Sequence, residues 1–284
     1  MTWYRGWALA LVLVSGPLCA ATGDRLPWTG AVTEIEGSAG GGLVPWALIG
    51  GLETDTEVGA SAFATYVRTA DFSLGVAGAS IDVHDRIELS FARQRFDAGS
   101  VLPDLTLGQD IVGVKVRLAG DAVFAPDRLL PQIALGAQWK HTRDFGEAPA
   151  ALGADSGTDV DLYLAATKLY FGALGGHDVI LDATVRRTRA DQFGLLGFGG
   201  VGGGYRYEPE LSAATWITDE LLVGAEYRGK PDELHGVRED AAEDVFLAWG
   251  PFKQLTIIAA WTDLGRIAGK PPQHGVYASI WIGI

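Results

Sequence analysis

Asp110-Ile111-Val112-Gly113-Val114-Lys115-Val116-Arg117-Leu118 is the stretch that decides the fold. Val112, Val114, Val116 and Leu118 fall on one phase of a two-residue repeat, and Gly113, Lys115 and Arg117 on the other. A helix would scatter those residues around its axis, whereas a strand sorts them onto opposite faces. The same alternation recurs on either side. Ile133, Leu135, Ala137 and Trp139 oppose Gln132, Gln138 and Lys140; Val179, Leu181, Ala183 and Val185 oppose Asp182, Thr184 and Arg186. Ile87, Leu89 and Phe91 oppose Arg86, Glu88, Ser90 and Gln94, and the C-terminal run Val276, Ala278, Ile280, Ile282, Ile284 opposes Tyr277, Ser279 and Trp281.

Nine less regular segments join these five: 28–36, 43–52, 56–67, 72–83, 159–170, 205–217, 220–228, 243–250 and 254–262. The count is fourteen strands. Gly40-Gly41-Gly42 and Pro45 interrupt the first two, since proline cannot donate to a ladder and glycine weakens one. If those two fold inside as a plug, twelve remain.

Nearly half the residues are apolar, 48%, yet no run after the first twenty residues approaches the ~20 that a membrane helix needs. Apolar residues spread at period two suit a closed sheet with one face on lipid and the other on a lumen. The connections agree. From the fourth strand onward, those after even-numbered strands are mostly short (84–85, 172–177, 218–219, 251–253), and those after odd-numbered ones long and polar or Gly/Pro-rich (97–108, 142–158, 190–204, 229–242, 263–273). Short periplasmic turns alternating with long outer loops are the rhythm of an outer-membrane barrel, although 120–130 is longer than the rule wants. Phe96, Trp139, Tyr205, Tyr207, Tyr227 and Trp261 lie toward the loop ends, and Tyr170, Phe171, Trp249 and Phe252 toward the turn ends. Two such belts fit the two membrane interfaces.

The N-terminus reads as an export signal spanning residues 1–21: Arg5 alone is charged, Ala8–Val14 is a short apolar run, and Leu18-Cys19-Ala20-Ala21 offers small residues for cleavage. The mature domain is then 22–284, all-β, a transmembrane antiparallel up-and-down barrel in the bacterial outer membrane. Losing the signal removes the only cysteine and one positive charge, taking the formal net charge from −13 to −14. A chain without thiols has no disulfide, thiolate metal site or cysteine nucleophile, and one this acidic is unsuited to nucleic acid.

Read together, several motifs resemble a family. They are Glu36-Gly37-Ser38-Ala39-Gly40-Gly41-Gly42-Leu43 with Pro45-Trp46-Ala47-Leu48-Ile49, Asp85-Arg86-Ile87-Glu88-Leu89-Ser90 with Ala92-Arg93-Gln94, and Gln109-Asp110-Ile111-Val112-Gly113 with Lys115-Val116-Arg117-Leu118. Ala166-Thr167-Lys168, Ala190-Asp191-Gln192-Phe193-Gly194-Leu195-Leu196-Gly197-Phe198, Gly224-Ala225-Glu226-Tyr227-Arg228 with Lys230-Pro231-Asp232, and Asp263-Leu264-Gly265 extend the match. The chain closely resembles the proteobacterial family known as domain of unknown function 3034. That resemblance implies an outer-membrane type of barrel and no established activity. In relatives Asn typically stands where this chain has Asp191, and Ile284 replaces the terminal aromatic common in outer-membrane barrels.

Chemistry is sparse. The glycine-rich segment 194–204 lacks the flanking strand and helix, and the Lys-Ser/Thr pair, of a phosphate loop, and reads instead as an outer loop able to fold into the barrel mouth. The five histidines show no metal-site spacing and no Gly-x-Ser-x-Gly occurs, so neither a cofactor nor a metal nor an enzyme is expected, though His141 or His274 beside Ser279 is the conceivable hydrolase pairing. The lead is the set of inward-phase charges: Arg86, Glu88, Lys115, Arg117, Lys140, Asp182, Arg186, Glu226 and Arg228. They line either a water-filled path for a small polar solute or a purely structural ladder, because both uses need the same residues. In the first case Arg86, Lys115, Arg117 and Arg186 are expected to form a positive stripe. A closed envelope barrel and, behind it, a membrane-embedded hydrolase are the alternatives.

Overall fold

The computed structural model describes residues 32–284 apart from 127, 147, 202 and 236. The expected signal peptide lies outside the described residues. Among the described residues there are fourteen strands, but the first two, β1 (Val32–Thr33) and β2 (Ala39–Gly40), are two-residue rungs of a small hairpin. The other twelve are β3 (Val58–Thr69), β4 (Ser73–Val83), β5 (Ile87–Asp97), β6 (Thr106–Ala119), β7 (Gln132–Thr142), β8 (Thr158–Leu174), β9 (His177–Thr188), β10 (Arg206–Thr218), β11 (Leu221–Arg228), β12 (Ala242–Phe252), β13 (Leu255–Asp263) and β14 (His274–Gly283). They close one antiparallel barrel in which every strand pairs with its sequence neighbours. β14 returns to β3, from Gly275↔Thr69 to Gly283↔Ser61, so no edge is left for another chain to pair with. The twelve-strand alternative is therefore the barrel, and of the two expected strands 28–36 and 43–52, the described residues 32–36 and 43–52 are corrected from wall to plug.

The facing read from the period holds. Val112, Val114, Leu135, Leu181, Val185 and Ile280 are exposed on the outside, while Lys115, Gln138, Lys140, Asp182 and Arg186 are buried on the inside. Apolar exposure of that extent is what a lipid-facing wall requires. Trp139, Tyr207 and Trp261 are exposed near the loop end, and Tyr170, Phe171, Trp249 and Phe252 near the turn end. Phe96 leaves the belt: it shares the phase of Glu88 and Gln94, points inward and packs on Phe72 with ring centroids 5.2 Å apart. All four register shifts, in β6, β8, β10 and β12, fall beside the turns. An extra residue there ends pairing and bends the strand into its short connection.

Candidate functional site: a lumen closed from both ends

The lumen is occupied by the chain's own N-terminal segment. Residues 33–53 are all buried inside the barrel. Val32 lies at the turn end beside Trp216, Leu222, Ala248 and Ile258. The segment climbs to Glu36, reverses at Gly37 (φ +101°), and descends to leave at the turn end, where Leu52 N–H donates to Ile284 O at 3.3 Å. The glycines that broke the expected strand are there for close approach. A Cβ on Gly41 would collide with Glu226 Oε1, and one on Gly40 with Val44 O.

Wall side chains hold this plug mainly through its backbone. Glu88 of β5 accepts from Ser38 Oγ at 2.8 Å, Ala39 N at 3.0 Å and Gly50 N at 3.1 Å. Lys115 of β6 pairs with Glu88 at 3.1 Å and donates to Ala39 O at 2.7 Å and Leu48 O at 2.9 Å. Across the lumen Glu226 accepts from Gly42 N and Leu43 N, both at 2.7 Å, and Arg228 donates to Leu43 O at 2.9 Å. Gln132 and Thr167 bind Ala47 O and N at 2.8 and 2.7 Å, and the Thr184 hydroxyl lies 3.0 Å from Pro45 O. A buried segment without a ladder must find partners for its backbone polar groups, and here the barrel wall supplies them.

Above the clamp the plug presents Glu34 and Glu36 to a belt of wall charges. Glu36 is bound by Lys140 of β7 through Oε1, and by Arg228 of β11 (2.6 Å) and Arg186 of β9 (3.4 Å) through Oε2. Asp161 of β8 lies 2.6 Å from Lys140 and 3.6 Å from Arg186, and Glu210 of β10 lies 2.5 Å from Arg186 and 3.2 Å from Arg228. Glu34 accepts from Glu36 N, Ser38 N and Gln138 Nε2 at 2.6, 3.1 and 3.0 Å. Charges are retained in a dry interior when each has an opposite partner and its remaining sites are hydrogen-bonded. Arg186 also faces the Tyr163 ring at 5.2 Å, and Arg228 the Phe193 ring at 4.6 Å.

Phe193 belongs to the second closure, which enters from the loop end. Residues 190–198 fold down into the mouth and are buried, with a 3₁₀ turn at Asp191–Gly194. Gln192 (φ 45°) and Phe193 (φ 62°) adopt left-handed backbone, a conformation that non-glycine residues hold only when surrounding contacts impose it. Those contacts are Lys230 Nζ to Gln192 Oε1 (2.7 Å), Gln192 N to Glu239 Oε2 (3.1 Å) and Lys140 Nζ to Phe193 O (3.4 Å). Burial, reinforced by the nearby Glu239 charge, pushes the Asp191 carboxyl up to about 9. Burial lowers Lys230, against the pull of Glu239. The glycine-rich segment thus begins as a lid, as its composition allowed, and contributes no phosphate loop.

Seven of the nine expected lumen charges (Glu88, Lys115, Lys140, Asp182, Arg186, Glu226, Arg228) face inward and are at most 4% exposed. Arg86 does not: it is exposed in the turn between β4 and β5. Arg117 sits at the turn end, bonded to Asp85 and, at 3.0 Å, to Asp121. Both border a polar cleft of 410 Å³ beside Glu53, outside the plugged region. The expected positive stripe is therefore not continuous, because Lys115 is neutralised by Glu88 and two members lie at the rim. The convergent basic group is Lys140, Arg186 and Arg228. Sequence reading missed its acids: Asp161 and Glu210 were readable from the inward phase of β8 and β10, whereas Glu34 and Glu36 had no such signal. The conceivable hydrolase pairings are not formed. His274 is 3.3 Å from Asp263 at the loop end, His141 bonds Thr158, and the Ser279 hydroxyl bonds Thr65 inside the wall. Among the described residues no group of three or more His, Cys, Asp or Glu is arranged to hold a metal ion.

Among solved structures, the KdgM porin in complex with disordered oligogalacturonate is similar with a TM-score of 0.50 and 10% identity, over 78% of this chain and 98% of that one. The NanC porin is similar with a TM-score of 0.50 and 9% identity, over the same shares. At these identities the likeness is one of fold, that of an outer-membrane porin barrel. No curated protein matches the chain. The family model described as "Protein of unknown function (DUF3034)" matches residues 29–281, and the chain belongs to that family.

Proposed function

We propose that this chain is an outer-membrane channel for small polar solutes, exported by its N-terminal signal and closed at rest by its own plug and lid. One observation carries the reading. What fills the lumen is a tethered hairpin held by reversible polar contacts to a charged wall, not a set of wall side chains interlocking across the axis. A twelve-stranded wall exceeds the ~8 strands whose lumen side chains alone can fill. Withdrawing the hairpin and lifting the lid would leave a polar-walled path. The exposed apolar band with its two aromatic belts supports the outer-membrane location, and outer-membrane lipid is the surrounding partner. KdgM is described with an oligogalacturonate, a polar solute, which accords with the class proposed here. In this reading the chain is not an enzyme.

A second reading has support of its own: the dense pairing of buried charges around Glu36 is what a permanently closed envelope barrel would show. Single-channel recording separates the two. The refolded full chain is expected to show brief, infrequent openings, and Glu88→Gln/Glu226→Gln, which weakens both carboxylate clamps on the plug, frequent long ones. Folded barrels of both forms that never open would establish the closed envelope barrel instead.

A further inference from the structure

The three bases at the centre of the lumen surround a single carboxylate that belongs to a removable segment. Lys140, Arg186 and Arg228 come from β7, β9 and β11, and together they engage both oxygens of Glu36. Their other acidic partners, Asp161 and Glu210, belong to the barrel wall and remain when the plug withdraws. Glu34, 3.8 Å from Arg228, leaves with the plug. Once the plug withdraws, three fixed positive charges against two fixed negative ones leave one net positive charge on this part of the lumen wall, which favours a monoanion. The planar guanidinium forks select a planar carboxylate rather than a spherical ion. Beside them the Tyr163 hydroxyl, 2.7 Å from plug Ser38 Oγ, would be released at the same time and can bond a hydroxyl on the solute.

We propose that Lys140, Arg186 and Arg228 form the channel's binding site for a small monocarboxylate solute, and that Glu36 occupies it at rest as a tethered stand-in. The proposal rests on the channel reading, since the site opens only when the plug moves. Solute and plug then compete for one place, so the transported class itself favours the open form. A ligand shifts such an equilibrium only through its preference for one state, and here Glu36 excludes it from the other.

The test uses the full chain with sodium acetate as probe, and acetamide and sodium chloride at matched concentration as controls. A glutamate-specific protease reports plug release by cutting after Glu34, Glu36 or Glu53. Acetate should raise the cleavage rate of the native chain several-fold and saturably, the controls should not, and Arg228→Gln should abolish the acetate response. In Glu36→Gln, which keeps the side-chain volume and removes the competing charge, acetate should raise the unfolding midpoint at lower concentrations than it needs to release the native plug. Absence of any carboxylate-specific response in cleavage overturns the site, as does absence of a midpoint rise in folded Glu36→Gln; if that variant does not fold, cleavage of the native chain decides. The channel reading fails separately: acetate-specific responses in a barrel that never conducts would keep the site and remove the transport.

Discussion

Lys115→Met should release the plug without unfolding the barrel. Lys115 is fully buried, pairs with Glu88 at 3.1 Å and donates to two plug carbonyls, Ala39 O and Leu48 O. Methionine keeps most of the volume but leaves Glu88 as an uncompensated charge and both carbonyls without their donor. Breaking one side of a buried ion pair costs about 3–5 kcal/mol. That cost attaches to the plugged state, because in the unplugged state lumen water solvates Glu88. At about 1.4 kcal/mol per decade, the ratio of released to docked plug should rise by roughly 10²–10³ or more. The glutamate-specific cleavage rate at Glu34 and Glu36 reports this ratio when reclosing is faster than cutting. Lys115→Met/Glu88→Gln should recover part of the loss, since it removes the stranded charge. If Lys115→Met is cut no faster than the native chain while its heat-modifiable barrel migration is unchanged, the clamp does not hold the plug and the reasoning fails.

Val114→Arg, on the lipid face one residue away, should instead impair assembly by about 2–4 kcal/mol, seen as loss of folded barrel in the outer membrane; folded yield equal to the native chain's would contradict the facing. Lid docking should weaken as pH rises. Asp191 keeps its proton up to about 9 when buried beside Glu233 and Glu239, but ionises in its ordinary range, near 4, once released into water. Between those limits each pH unit therefore disfavours the docked lid. Protection of 190–198 against hydrogen exchange, taken relative to the base-catalysed rate of an unstructured chain at each pH, should fall from pH 6 to 9 in the native chain and much less in Asp191→Asn; identical falls would remove Asp191 as the cause. In an opened channel, Arg186→Gln/Arg228→Gln should shift the reversal potential toward cations in a salt gradient, whereas Arg86→Gln, at the rim, should not. Equal shifts would place the selectivity at the rim.

Strand limits and facing are legible because a half-buried strand has one periodicity, and one residue of slip would turn every side chain over. Alternation alone therefore puts Lys140, Arg186 and Arg228 on the inward face. It does not bring them together, since strand tilt and stagger set which rungs meet across a barrel, and neither is written in local alternation. Phe96 is misleading through its nearness to a strand end, although its even-numbered phase already gives its direction. Arg86 and Arg117 mislead for a related reason: at a turn the inward phase runs out into water, so Arg117 finds Asp85 and Asp121 instead of the lumen. The plug is hardest of all. Gly40-Gly41-Gly42 and Pro45 show that the segment is a poor strand, but its partners are far in sequence, and its glycines fit the shape of Glu226 rather than any local pattern. Asp191 is the reverse case. It is legible as an acid, but its burial makes the carboxyl hold a proton at neutral pH, so the site holds a neutral side chain.

Both ends of the hairpin leave by the same mouth, while the lid enters from the opposite one. The hairpin can therefore withdraw only through the turn end and the lid only through the loop end, and neither has to thread past the other. Such an arrangement works as an airlock. If each door alone stood open about one part in a hundred, both would stand open together about one part in ten thousand. Lys140, which bonds both Glu36 and Phe193 O, makes each closed door favour the other and lowers that leak further. An envelope can carry a wide barrel in this form without giving up its barrier to small molecules.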